Sequence, residues 1–166
     1  VTPFVTDNAR TLELRYRQAF RNGRMEFEGA VSQDDFSRHS YRGYLFGSGQ
    51  FDLTNGYTLK FNIEAASDDT YLLDYDFSEK DRLQSDIALE RVQRDRYFRG
   101  ALTYFDSLRP DESNDTLPTL AGNAEYDRRL YPDRLGGELG VHVESHSHAR
   151  TSDLAVDLDG DGLADG

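Results

Sequence analysis

Residues 41–65, YRGYLFGSGQFDLTNGYTLKFNIEA, alternate so strictly that few folds can accommodate them. From Tyr57 to Ala65 the odd positions are Tyr57, Leu59, Phe61, Ile63 and Ala65. The even ones are Thr58, Lys60, Asn62 and Glu64. A period of two means a β-strand with one apolar and one polar face. Tyr41–Leu53 keeps the same phase, with Tyr41, Gly43, Leu45, Gly47, Gly49, Phe51 and Leu53 at odd positions. Thr54-Asn55-Gly56 between them has the composition of a three-residue hairpin loop, with Gly where φ > 0 is needed. That loop predicts Phe51 opposite Leu59, Gly49 opposite Phe61, Gly47 opposite Ile63, Gln50 opposite Lys60 and Ser48 opposite Asn62. All apolar side chains then share one face, so pattern and turn chemistry agree on one register.

The same grammar recurs along the chain. Val1–Val5 is a short extended piece whose Pro3 confines it to a strand end or edge. Thr11–Phe20 sets Leu12, Leu14 and Tyr16 against Glu13, Arg15 and Arg17, and Arg24–Val31 sets Met25, Phe27, Gly29 and Val31 against Glu26 and Glu28. Asn22-Gly23 between them predicts a two-residue turn that pairs Phe20 with Met25 and Arg17 with Glu28. Arg82–Val92 and Arg96–Phe105 form a further hairpin around Gln93-Arg94, although Leu83 and Ile87 also suit a helix face. Leu120–Asp127 and Gly137–Ser145 form the last, with Leu139, Val141 and Val143 against Glu138, His142 and Glu144. Ala66–Lys80 and Ser107–Thr116 read as long polar linkers. About nine strands result, and every second connection is tight while the others are long.

Composition then decides what kind of sheet this is. Mean hydropathy is −0.74, yet the chain holds 10 Tyr and 10 Phe. Disordered chains are poor in aromatics, and no run approaches the ~18 apolar residues of a membrane helix. A polar chain with many aromatics and alternating strands suits a sheet with one apolar and one wet face. Greek-key sandwiches give no reason for alternating short and long connections, whereas transmembrane β-barrels do. Phe20, Phe51, Tyr57, Tyr97, Phe98 and Tyr126 gather beside the tight turns, as an interfacial girdle would. The expected fold is therefore all-β: an antiparallel up-and-down meander, an incomplete piece of a large transmembrane outer-membrane β-barrel. Residues 1–149 would be the partial barrel and 150–166 an acidic extracellular loop. An odd strand count and a start in mid-pattern suggest a piece of a longer chain. The net charge of −12 opposes nucleic acid as a partner, and the absence of Cys removes disulfide and thiolate chemistry.

Three blocks carry a family likeness: TPFVTDNARTLELRYRQAFRNGRMEFEGAVSQDD, RGYLFGSGQFDLTNGYTLKFNIEAASDDTYL and DTLPTLAGNAEYDR. In order and content they resemble the early part of the C-terminal barrel of the LptD (organic solvent tolerance protein) family, over roughly Val1–Ser145. The resemblance implies insertion of lipopolysaccharide into the outer leaflet of the Gram-negative outer membrane. It implies a plug lipoprotein of the LptE type, periplasmic bridge proteins that deliver the lipid, and a lateral exit whose first strands are weakened by prolines. Thr2-Pro3-Phe4 matches one of those prolines in its setting, so Pro3 is either a gate-strand residue or an ordinary strand-end proline.

Individual motifs add little catalytic chemistry. Asp157, Asp159 and Asp161 with Gly162 and Asp165 follow the start of a calcium loop, without flanking helices or the last ligand. The run is a Ca2+ site or an acidic loop. His142, His146 and His148 share a strand face but spread too far along it to meet one ion. Asp34-Asp35 and Asp68-Asp69 are expected to be solvated loop carboxylates, and no Ser-His-Asp arrangement or phosphate loop is evident. Arg15, Arg17, Glu26, Glu28, Lys60, Asn62, Glu64 and Glu138 would line a wet lumen, or else the solvated face of a soluble sheet. Leu59, Phe61, Ile63, Leu139, Val141 and Val143 would face lipid. The reading is a non-enzymatic lipopolysaccharide-transport component that needs no cofactor. The alternatives are a calcium-binding surface adhesion protein and another barrel such as a porin or autotransporter. An apolar face packed against a second sheet would defeat the barrel.

Overall fold

The computed structural model describes residues 2–5, 9–34, 41–114, 117–134 and 136–150. Its strands are β1 (Thr2–Val5), β2 (Ala9–Phe20), β3 (Gly23–Asp34), β4 (Arg42–Asp52), β5 (Tyr57–Ala66), β6 (Arg82–Val92), β7 (Arg96–Ser107), β8 (Leu120–Leu130) and β9 (Leu139–Ala149). They form one sheet in chain order, each strand antiparallel to the next. Among the described residues β1 and β9 are its edges, and no second sheet lies against it. The meander and its nine strands are those expected from the alternation, and residues 82–92 are strand rather than helix.

The β4–β5 register agrees residue for residue with the sequence reading, from Phe51↔Leu59 to Gly47↔Ile63. Asn55 and Gly56 both take positive φ, 62° and 75°, which closes the loop, and the Leu53 N–H donates to the Tyr57 carbonyl at 2.7 Å. The glycines of β4 have a second use. A Cβ at Gly47 would run into the Phe27 ring, and one at Gly49 into the Phe61 ring. Each glycine thus sits opposite a phenylalanine whose ring lies across it. The rings continue as a ladder on this face: Phe20–Phe51 at 5.5 Å, Phe51–Phe61 at 6.4 Å and Phe27–Phe61 at 6.2 Å between centroids.

The β2–β3 hairpin corrects the expected pairing. Its turn is Arg21-Asn22, with Phe20 opposite Gly23, and Arg17 faces Glu26 rather than Glu28. None of Arg21, Asn22 and Gly23 has positive φ, so the Asn-Gly pair does not form the primed turn it suggests. Two interactions hold the turn one residue earlier. Asn22 is bound to the end of β4, its side chain donating to the Asp52 carbonyl at 3.0 Å and its own carbonyl accepting from the Asp52 N–H at 2.6 Å. Gly23 lies beneath Phe51, where a Cβ would clash with ring and backbone. The slip is by two residues in the pairing, so every side chain keeps its face.

Most of the buried material is not between strands but under the 67–81 connection, which reads in sequence as a polar linker. Tyr71 and Leu72, on the one-turn helix α1 (Tyr71–Asp74), are 0% exposed. They pack with Leu83 and Leu108, flanked by Tyr44, Phe46, Tyr75 and Phe77. Arg42, at the start of β4, is 5% exposed, against the Tyr71 and Tyr75 rings. It donates to Asp68 Oδ1 at 2.6 Å, Asp74 Oδ2 at 2.8 Å and Thr70 Oγ1 at 2.9 Å. Asp68 is therefore an ion-pair partner of a buried cation and not the solvated carboxylate expected of this loop. The Tyr71 hydroxyl reaches Ser32 at 2.7 Å, and Ser32 reaches Thr11 at 2.7 Å, which ties the loop to β2 and β3. The 108–119 connection interlocks with it: Leu108 N–H donates to the Asp81 carbonyl at 3.0 Å and Arg109 Nε to Asp81 Oδ2 at 2.7 Å.

Gly49→Val should push Phe61 off its place and cost about 1–3 kcal/mol, the usual range for overpacking. Thermal unfolding of the full-length barrel in detergent, followed by its heat-modifiable gel mobility, checks this, and an unchanged midpoint would contradict it.

The Arg42 hydrogen bonds hold the Asp68 and Asp74 carboxyls below the usual carboxylate range. The Ser107, Arg82 and Arg109 donors around Glu112 hold its carboxyl down to about 2. Folded values below the unfolded ones mean that the loop stabilisation is complete above the ordinary carboxylate pKa and lost as pH falls through the folded values. Protease protection of residues 67–81 should thus persist near neutrality, begin to weaken below about pH 4 and be lost only as pH falls towards about 2. Arg42→Met should open the same segment at pH 7, whereas Arg94→Met should not.

Candidate functional site

The two faces of the sheet and the loops over one end are the surfaces available for function. On the polar face, charges are matched across strands. Arg15 Nε donates to Glu26 Oε1 at 2.7 Å, Arg17 Nε lies 3.0 Å from the same oxygen, and Glu28 is 3.9 Å from Arg15. Lys60 meets Glu90 at 2.8 Å, and Lys80 comes back from the loop to Glu64 at 2.5 Å. Asn62 Nδ2 donates to the Gln84 carbonyl at 2.9 Å. At the far side Glu138 accepts from Tyr131 at 3.1 Å and lies 3.6 Å from Arg129. Seven of the eight polar positions singled out in the sequence therefore fall on one strand face, with Glu138 in the connection before β9 meeting Arg129 and Tyr131 at its end. Such exposed pairs fix register more than they add stability. Tyr97, beside the β6–β7 turn as expected, also lies on this face, opposite Asp127 and Val92, and so is not one of the aromatics on the apolar face.

The other face is apolar and uncovered. Leu14, Ile87, Leu102 and Val143 are 46%, 47%, 54% and 55% exposed, and Leu12, Val31, Leu45, Leu120, Leu139 and Val141 are exposed with them. Leu59, Phe61 and Ile63 are half-buried, shielded by their neighbours on the same face. Shallow apolar grooves cross it, one of about 430 Å³ lined by Phe27, Phe61, Ile63, Ile87, Leu102 and Tyr104. In water each such side chain would forgo on the order of 1.5–3 kcal/mol of burial. A sandwich adhesin would bury this face against a second sheet, and none is present among the described residues.

Among the described residues no catalytic constellation is seen on either face. His142 Nδ1 shares a 2.7 Å hydrogen bond with Asp127, while His146 Nε2 is 2.9 Å from Glu144, so the histidines turn to different carboxylates. Glu125, Asp127 and His142 bring ligand atoms within 4.8 Å of one another, a cross-strand ion-pair cluster open to solvent. Asp157, Asp159, Asp161 and Asp165 lie outside the described residues. Pro3 sits in β1 opposite Leu12, at the edge of the sheet in its shortest strand. What sequence reading missed is Arg42 with Tyr71 and Leu72. The available signal was a cluster of aromatics, Tyr71, Tyr75 and Phe77, inside a Ser/Asp-rich segment.

No helix among the described residues is long and apolar enough to cross a membrane. No curated protein and no solved structure matches the chain. A protein-family model described as LptD, LPS transport system D, matches residues 40–156, from the β3–β4 connection to beyond β9. A match over that much of the chain, on a single meander with one apolar and one charged face, identifies the chain as a member of the LptD family, an outer-membrane family of Gram-negative bacteria that serves lipopolysaccharide transport.

Proposed function

We propose that this sheet is part of the wall of a barrel that inserts lipopolysaccharide into the outer leaflet of the outer membrane. The observation that carries this is the uncovered apolar face backed by a charged face whose ions are mostly paired across strands. A wall with hydrocarbon on one side and a wet lumen on the other needs that pairing of surfaces. Leu59, Phe61, Ile63, Leu139, Val141 and Val143 would face lipid. Arg15, Arg17, Glu26, Glu28, Lys60, Asn62, Glu64 and Glu138 would line the lumen, where sugar chains and a plug lipoprotein of the LptE type would be met. The tight turns would face the periplasm and its bridge proteins, and the interlocked 67–81 and 108–119 connections would face outside. Transport of this kind asks for a path and not a bond-making step, so no side chain is given a catalytic role and no cofactor is required. The Asp157–Asp165 run has calcium-ligand spacing in sequence and lies outside the described residues.

A photo-crosslinking residue placed singly at positions 59–64 of the full-length protein, in intact outer membranes, tests the facing. Even positions should capture lipopolysaccharide or the plug lipoprotein, and odd positions should label only with membrane lipid. Protein adducts at 59, 61 and 63 would overturn the reading.

Pro3 removes one ladder donor from β1, where only four residue pairs join β1 to β2. In the proposed setting that weakens the strand beside a lateral exit. Pro3→Ala should slow lipopolysaccharide export in cells while leaving barrel assembly intact, and unchanged export would remove Pro3 from the gate.

A further inference from the structure

The apolar face is interrupted at its turn end by three arginines. Arg91 lies opposite both Tyr57 and Phe98, Arg96 is two residues before Phe98, and Arg128 is two residues after Tyr126. Strand alternation therefore sets all three on the face of Tyr57, Phe98 and Tyr126, at the end where the β6–β7 turn lies. Arg96 and Arg128 are directly opposite each other across the β7–β8 ladder. Like charges in that position repel.

The polar face shows how this chain treats a cation it means to neutralise. Arg15, Arg17, Lys60, Lys80 and Arg129 each lie within ion-pair distance of a carboxylate. Arg99, though not in ion-pair contact, stands between Glu90 and Glu125 across the ladder. Among the described residues Arg24 alone of the strand cations there faces no carboxylate. On the apolar face that provision is missing. Asp95, in the turn, reaches Arg96 at 3.7 Å. Among the described residues no carboxylate pairs with Arg91 or Arg128. Arg91 instead stacks on Tyr57, its Cζ 4.9 Å from the ring centroid. The Nε atoms of Arg91, Arg96 and Arg128 are buried without a hydrogen-bond partner. Buried donors of this kind normally have an acceptor. An open groove of about 600 Å³ wraps the turn end of the sheet, where Arg96, Arg128 and Val141 of the apolar face meet Tyr97, Arg129 and His142 of the polar one. Of its three carboxylates, Asp95 lies 3.7 Å from Arg96, while Asp127 and Glu138 are engaged by His142 and by Tyr131 and Arg129.

We propose that Arg96 and Arg128, with Arg91 beside them, hold the phosphate of an anionic lipid headgroup at the turn-side membrane interface. Guanidinium groups bind phosphate oxygens in bidentate fashion, and one phosphate between two of them turns a repulsion into two attractions. The depth is that of a headgroup: aromatic girdle residues surround the site, and the apolar face that would receive acyl chains begins one residue pair further along. The inference rests on the reading that this face meets lipid.

Native mass spectrometry of the full-length protein from a phosphate-free detergent supplies the test, with short-chain phosphatidylglycerol, the matching diacylglycerol and inorganic phosphate as separate probes. Wild type should retain phosphatidylglycerol and not diacylglycerol, with inorganic phosphate a weak competitor. The double variant Arg96→Gln/Arg128→Gln should lose retention by about tenfold or more, the value of one charge-assisted contact, while Arg15→Gln on the polar face should not. Heat-modifiable mobility confirms that each variant is folded. In lipid-free detergent the double variant should melt no lower than wild type, because a repulsion has been removed, and added phosphatidylglycerol should raise only the wild-type midpoint. Equal retention by wild type and double variant would overturn the site. Binding of inorganic phosphate as tight as that of the lipid would make it a free-anion site. Retention that persists while positions 59, 61 and 63 crosslink to protein would instead strike at the lipid-facing reading.

Discussion

Parity is the constraint on which everything else in this sheet depends. A single layer has no opposing sheet to choose which side chains are inside, so only the backbone ladder and same-face neighbours fix its arrangement. Shifting one strand by a single residue would exchange its entire apolar set for its charged set. Shifting it by two changes partners and leaves both faces intact. The β2–β3 hairpin shows the difference. Its pairing lies two residues from the one its Asn-Gly dipeptide suggests, and Arg15 and Arg17 still meet Glu26 and Glu28. The charged ladder tolerates such a change because each carboxylate can serve two arginines.

This explains how much of the molecule the sequence discloses. Where a turn forces positive φ, as at Asn55 and Gly56, local chemistry sets the register outright, and β4–β5 is legible to the residue. Where the turn is itself a contact, as Asn22 is to Asp52, the deciding partner lies in another hairpin and no local pattern announces it. Tyr97 is a case of the same kind: composition puts it among aromatics near a turn, but only parity tells that it faces Asp127. The 67–81 segment is the largest omission. Its Ser and Asp residues are loop-like in number. Their role is to meet Arg42 and the chain ends of β3 and β4, and that is a property of the folded assembly.

The loop also separates two kinds of stability within one sheet. Between the strands, most side chains are exposed or half-buried, small ones such as Ala30, Ala88 and Ala101 being buried by their neighbours, and order there comes mainly from backbone hydrogen bonds. Under residues 67–81 the chain builds a small closed core around Tyr71 and Leu72, with a buried guanidinium satisfied from three directions. A buried charge of this sort is costly to strip of partners, because the remaining group is left desolvated. The arrangement therefore resists partial opening. It either stays docked on β4 or comes away as a unit, which suits a cap over one end of a wall better than a gradually yielding flap.

The two faces consequently depend on their surroundings in opposite ways. On the charged face most cations find carboxylates within the chain, and the remaining charged groups there are open to water. The apolar face leaves its side chains uncovered, and its arginines Arg91 and Arg128 without carboxylates. In the proposed setting, hydrocarbon would cover most of the strands and an anionic acceptor would meet the arginines at the turn end. A lipid leaflet provides both at that spacing, apolar tails beside a plane of phosphates, whereas a soluble protein partner would have to reproduce the two in register. The distribution of unpaired groups over this face thus describes the chemistry of what must lie against it.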